Sequence, residues 1–264
     1  MQNVIKVIIL VFVLSLSIQA KENRLSTSVA LVGMSMDYRE YDFSGNILDS
    51  EMSGFTDIMG VDMGLQFLLN ETSSSYIKLE TNLMTIGGYT DYVGSLLGSG
   101  QPYGSYVSRT VNNIIDVDIN VKMQQKITDS FELQYALGLG YRYWERSLSS
   151  TQIEIYEWYS LRTMLGAHYK LSKKLKIGAE IEYQYGFNET MSASNLGSNF
   201  DLGGADIMKI SIPLVYSYSD KLDFLASAVY EEQTIEHSNV INGFYEPDST
   251  AKNQYIKIGV DFKY

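Results

Sequence analysis

The sequence predicts an all-β protein, an antiparallel up-and-down transmembrane β-barrel of ten strands, with eight or twelve as the alternatives. Three observations predict it. Apolar and polar residues alternate with a period of 2 from residue 25 onward. The alternating stretches run to about 12–18 residues, against about 5–6 in globular sheets, and a tilted strand needs about 9–11 to cross hydrocarbon. The connections switch between short polar turns and longer segments rich in Gly, Ser, Asn and Asp, as expected of a barrel with turns on one rim and loops on the other.

Composition narrows the function classes. The 264 residues include 21 tyrosines, three prolines and no cysteine, with a formal charge of −11. Without cysteine there is no disulfide, thiol nucleophile or Cys-based zinc site. A net negative chain argues against nucleic acid as a partner. Beyond the N-terminus no apolar run approaches the 18 residues of a helical span.

Taken in order, residues 1–20 have the layout of a secretory signal peptide: a positive start at Lys6, an apolar stretch from Val7 to Ile18, and the small Ala20 at the cleavage point. Ile18 stands where a small residue is usual, which leaves the cleavage position open by a few residues. The barrel domain is expected over 21–264. Its strands are expected at 26–40, 56–70, 75–89, 108–125, 130–146, 152–170, 174–189, 205–218, 222–236 and 253–264. Short turns fall at 71–74, 128–129, 172–173 and 219–221, and the long loops at 41–55, 90–107 and 190–204. The clearest alternation is Ile115-Asp116-Val117-Asp118-Ile119-Asn120-Val121-Lys122-Met123, apolar at every odd position. In a strand that parity sends the two sets to opposite faces. Pro213 sits inside a strand where a ladder donor is needed, and predicts a bulge or a strand end.

Two features turn the apolar face toward lipid. Tyr141, Tyr143, Tyr159, Tyr183, Tyr185, Tyr216, Tyr218 and Tyr230 edge it near strand ends, where amphipathic rings form interfacial girdles. The last strand alternates through Ile256, Ile258, Val260, Phe262 and Tyr264. This ending resembles the assembly signal of bacterial outer-membrane β-barrel proteins, with Phe262 and Tyr264 as its aromatics. Among small barrels the ten-strand layout is similar to the omptin proteases, with the eight-stranded OmpA/OmpX type as the neighbouring alternative. The resemblance implies an outer-membrane location after export through the cleaved signal peptide. It also implies contact with outer-membrane lipid and lipopolysaccharide, and help from barrel assembly machinery and periplasmic chaperones.

The catalytic residues that such barrels use are not matched. The omptin pattern has an Asp-x-His pair, and neither His168 nor His237 is preceded by one. The lipid-hydrolase pattern His-x-Ser is also missing: Ser238 follows His237 directly, and adjacent strand residues face opposite ways. Asp42, Ser44, Gly45, Asn46, Asp49 and Glu51 make an acidic loop without the register of a calcium loop. No catalytic residue, metal or cofactor is therefore expected.

The inward parity gives a lumen charge network including Asp62, Glu80, Asp116, Asp118, Glu132, Glu180, Glu182, Lys257 and Asp261. Charges so placed must be paired or wetted. They form either a plug or a narrow, cation-preferring pore, and ten strands lie near the filled limit. Inward glycines Gly60, Gly64, Gly138, Gly140, Gly178 and Gly259 are expected to make room for long side chains across the bore. Near the outer mouth, Arg142, Trp144 and Arg146 on one strand should face Glu154, Tyr156, Trp158 and Arg162 on the next. Such a set either closes the rim or binds a sugar, carboxylate or phosphate. The expected role is structural or narrow-pore, with a small cation-preferring channel or an outer-membrane hydrolase as the alternatives. The oligomeric state is left open.

Overall fold

The structure is a computed structural model that describes residues 24–95, 100–194 and 196–264. The expected signal peptide lies outside the described residues. Twelve antiparallel strands make up the described chain, with no helix. Ten are long: β1 (Leu25–Tyr41), β3 (Ile58–Glu71), β4 (Ser75–Gly94), β5 (Tyr106–Lys126), β6 (Phe131–Ser147), β7 (Ile153–Lys170), β8 (Leu175–Ala193), β10 (Ala205–Ser219), β11 (Leu222–Ile235) and β12 (Asp248–Lys263). Each pairs with its neighbours in sequence, β10 pairs with β8, and β1 pairs with β12 from Ser26↔Lys263 to Tyr41↔Asp248. That last ladder closes the sheet, so no long strand keeps a free edge.

Two short strands, β2 (Ile47–Met52) and β9 (Ser198–Asp201), were not expected. Both fold back within loops of the long-loop rim. β2 lies between the upper ends of β1 and β4, and β9 pairs with the end of β8. β4 and β8 also run several residues further than their alternation suggested, as does the start of β12. The loops on this rim are therefore largely sheet. The opposite rim has the short turns, where Thr72, Thr128 and Ser172 hydroxyls accept from backbone N–H groups two or three residues on.

The outward face carries the alternating apolar set. Leu31, Leu137, Leu139, Leu165, Ile181, Ile212 and Ile258 are exposed to the surroundings of the barrel. All eight tyrosines named above lie on this face, and Tyr141, Tyr159 and Phe187 form a row with centroids 5.3 and 6.0 Å apart. Above that row the outward positions become charged, as at Asp37, Asp91, Glu145 and Glu157. The hydrocarbon-facing band ends there.

Pro213 corrects the sequence reading. There is neither a bulge nor a strand end: the β10–β11 register runs unbroken through Pro213↔Ser227. The β8–β10 pairing lapses at Ile212 and Pro213 and resumes in the same register at Leu214↔Ile177. The missing N–H thus costs a local ladder contact on the β8 side only.

The inside is not charged throughout. The middle of β1, residues 29–34, is apolar on both faces, and the strand's inward residues Val32, Met34, Met36 and Tyr38 are fully or almost fully buried. With Ile58, Ile86, Ile114, Trp144 and Trp158 they form an apolar and aromatic layer in the upper half of the bore. Such a layer excludes water as a globular core does. The inward glycines also serve closer neighbours than expected. A Cβ on Gly178 would meet the His168 ring of β7 at 2.7 Å, and one on Gly140 would meet Ser160 and Arg162 of β7. At these two positions the room is for side chains on the adjoining strand, while Gly60 and Gly259 lie against the backbone of the next strand.

Candidate functional site

Successive inward positions of β6 climb through the bore from Glu132 near the turn rim to Arg142, Trp144 and Arg146. The β6–β7 register sets Arg142 opposite Trp158, Trp144 opposite Tyr156, and Arg146 opposite Glu154. The seven residues anticipated at the mouth do share one wall. They are not an open surface, however: Trp144, Arg146, Tyr156 and Trp158 are at most 1% exposed. Arg162 sits lower and turns to Asp118 and Glu182. The cover comes from β2, β9 and the segment 236–247, which sequence alternation did not disclose.

Arg146 is the centre of the upper network. Its Nη1 donates to Glu40 (2.6 Å), Glu154 (3.0 Å) and the hydroxyls of Tyr38 (3.1 Å) and Tyr156 (3.0 Å). Its Nη2 and Nε donate to Glu51 at 2.8 and 3.2 Å. The guanidinium also lies over the Tyr38 ring, 4.3 Å from its centroid. The second oxygen of Glu51 accepts from Thr90 Oγ1 and from Asn112 Nδ2. Asn112 in turn accepts from the Trp144 indole at 2.8 Å. From segment 236–247, Glu246 enters the bore and accepts a hydrogen bond from the Tyr156 hydroxyl.

This network lies level with the outward-facing charges, above the lipid band. Burial pushes the Glu51 carboxyl up, but Arg146, Thr90 and Asn112 outweigh it and hold Glu51 below the ordinary carboxylate value. Glu246 and Asp49 go the other way. Burial raises both well above their ordinary values, and the neighbouring Glu40 adds to it.

The second network is one layer down. Arg142 grips Asp116 with two bonds of 2.6 Å and Glu231 with two of 3.1 Å, and donates to Gln233 at 2.6 Å. Lys209, Asn253 and Tyr255 complete the shell of Glu231. Lower still, Lys122 pairs with Glu80, Lys257 with Asp62, His168 with Glu180, and Lys170 and Lys176 with Glu132. Of these groups Glu80, Lys122, Asp62, Lys257 and Glu180 line a mid-bore cavity of about 230 Å3. Asp261 is the member of the expected set without an ion pair, and its Oδ1 is buried with no hydrogen-bond partner among the described residues.

Several residues of these networks were missed from sequence. Glu40, Glu51 and Glu231 take arginine partners, and Tyr38 and Glu246 close the upper layer. Glu51 lies in a six-residue strand too short to show a period, with Asp49, Ser50 and Glu51 all buried. Glu231 and Glu232 are adjacent, so one of them had to face inward.

The two histidines are held by carboxylates. His168 Nε2 is 2.9 Å from Glu180, whose other oxygen accepts from Ser211 at 3.1 Å. The hydroxyl and the imidazole therefore meet the carboxylate and not each other. His237 Nδ1 lies 3.0 Å from Asp248 on the outer rim, edge-on to Phe43. Ser238 does not serve it, since its Oγ donates to Asn239 O and accepts from Glu246 N. Asp42 is used as a turn cap, accepting from Ser44 N, Asn46 N and Asn46 Nδ2. Among the described residues no group of His, Asp and Glu side chains is arranged to hold a metal ion.

No family model matches the chain, and no curated protein matches it. Solved structures do. The outer-membrane protease OmpT from Escherichia coli is 7% identical, with 93% of this chain and 99% of that chain covered and a TM-score of 0.55. The translocator domain of the autotransporter NalP from Neisseria meningitidis is 11% identical over 96% and 92% of the two chains, with a TM-score of 0.45. The outer membrane protein OprG from Pseudomonas aeruginosa is 10% identical over 92% and 98%, with a TM-score of 0.38. The chain has the fold of an outer-membrane β-barrel, closed with ten strands.

Proposed function

We propose that this outer-membrane β-barrel is a closed, non-catalytic barrel whose working surface is its outer rim. The observation that carries this reading is the layer of Trp144, Trp158, Met34, Met36 and Ile58 capped by the Arg146 network, all nearly free of solvent contact. A passing ion would have to shed its water against apolar side chains and then cross a guanidinium already held by three carboxylates. Ten strands enclose a bore narrow enough for side chains to fill. Planar-bilayer recording on the folded protein tests the reading. Silence is expected, and steady conductance larger for potassium than for chloride would replace it with a cation-preferring channel.

One observation favours a second reading, hydrolysis. Asp248 orients the His237 ring at the outer rim through Nδ1. Neither a hydroxyl partner nor an Asp-x-His motif accompanies it, so the closed barrel is preferred. Incubation with casein, phospholipid and lipid A decides: turnover that vanishes in His237→Ala would establish the hydrolase.

A further inference from the structure

Above the Arg146 network the outer rim holds a cavity of about 380 Å3. It is bounded by β2, the upper ends of β4, β5, β7 and β8, β9, and the segment 236–247. Its charged lining is of one sign. Glu40, Asp49, Glu154 and Glu246 face it, with no lysine or arginine among the described lining residues. Tyr92, Tyr106, Phe244 and Tyr245 supply aromatic faces beside these carboxylates.

Five carboxyl groups here meet a single guanidinium, and burial favours the protonated form of Asp49 and Glu246. Glu40, Glu51 and Glu154 share the single guanidinium of Arg146, and Glu246 is bound by a neutral hydroxyl. Asp49 is left over. It is 7% exposed, lines the cavity, and its Oδ1 has no hydrogen-bond partner among the described residues. An acceptor buried in that condition is destabilising until a donor reaches it.

We propose that this vestibule binds an organic cation, an ammonium group carrying an apolar or aromatic body, with Asp49 as the principal acceptor. The ammonium supplies the missing donor and a positive charge that favours the ionised form of Asp49, and the ring faces of Tyr92 and Tyr106 attract a cation and its apolar body together. A bare divalent ion fits less well, because it needs several convergent oxygens and no such group is formed among the described residues. The volume falls within the range of small-molecule sites, about 300–1,000 Å3. The proposal deepens the closed-barrel reading, since the Arg146 layer is the floor that makes the vestibule a blind pocket.

The test is calorimetric titration of the folded full-length protein in micelles with benzylammonium chloride. Benzyl alcohol, sodium benzoate and calcium chloride serve as comparators. Benzylammonium alone is expected to bind saturably, about tenfold more weakly to Asp49→Asn. Ser108→Lys, which puts an ammonium into the vestibule without touching Asp49, is expected to abolish binding and keeps the test open should Asp49→Asn not fold. Equal binding of benzyl alcohol, Asp49-dependent binding of calcium without benzylammonium, or undiminished binding by both variants would each overturn the proposal. Bilayer recording reads the floor separately. Conductance together with Asp49-dependent binding overturns the closed bore and keeps the site; silence without binding overturns the site and keeps the closed bore.

Discussion

Arg146 has almost no water around it, so every contact that balances its charge must come from the chain. Glu40, Glu51 and Glu154 provide the charge, and Tyr38 and Tyr156 provide both oxygens and ring faces. Arg146→Ala would leave buried carboxylates without a cation, and such a loss costs roughly 3–5 kcal/mol. Urea unfolding from lipid vesicles, followed through Trp144 and Trp158, should show that drop. Adding Glu51→Gln to Arg146→Ala should cost less than the sum of the two single changes, because the groups act together.

Glu246 gives a pH dependence of definite sign. Burial together with Glu40 and Glu154 raises its carboxyl well above the ordinary 4.5. The docked segment 236–247 therefore holds a proton that the undocked segment releases. Docking is at full strength below the ordinary value and weakens as pH rises through the folded one. Glu40 of β1, Arg146 of β6, and Glu154 and Tyr156 of β7 bear on this carboxyl, which in turn bears on Tyr38 of β1. The chain has no cysteine, so a dye on Val240→Cys reports the segment alone. Its anisotropy should fall as pH rises from about 4.5, and Glu246→Gln should flatten the response.

Among the elements, the ten long strands were legible because a period of 2 sustained over a membrane thickness has no other economical structure. Their expected limits agree with the structure to within a few residues over most of the wall. β2 and β9 were not legible. At six and four residues they are too short to show a period, and their pairing depends on strands far away in sequence. The β8–β10 seam supplies an element-scale prediction. Pro213→Val restores the donor missing on the β8 side and should raise stability by about 1 kcal/mol, read as a higher urea midpoint. Across the neighbouring β7–β8 pairing, Gly178→Ala should lower stability by about 1–3 kcal/mol, read as a lower urea midpoint. The added methyl would stand 2.7 Å from the His168 ring and push it from Glu180.

The molecule as a whole is a cylinder with two unlike ends and a layered interior. The turn rim and lower bore carry ion pairs such as Lys263–Asp223, the upper bore holds an apolar and aromatic layer between the Arg142 and Arg146 networks, and the outer rim is acidic. A closed ladder with no free edge should resist detergent. The folded protein is expected to migrate differently on gels with and without heating and to give β-sheet circular dichroism in micelles. A monomer soluble without detergent would contradict the lipid-facing assignment of Leu31, Leu137 and Ile258.

Sequence by itself determined the long strands, the face most of their residues take and the lipid-facing band, because strand parity is a local property that needs no partner to be known; it left the count at ten, eight or twelve. It also set Arg142, Trp144 and Arg146 facing Glu154, Tyr156, Trp158 and Arg162, since one short connection joins the two strands, and the structure gave the register, Trp144 opposite Tyr156 and Arg146 opposite Glu154. Only the tertiary structure decided that these residues lie under cover. Parity tells in from out but not how high the loops fold back, nor which of many inward carboxylates reaches a given arginine. Arg142 found Glu231, 89 residues away, and Arg146 found Glu51, 95 residues away. Such partnerships arise only when the cylinder closes and brings opposite walls within hydrogen-bonding distance.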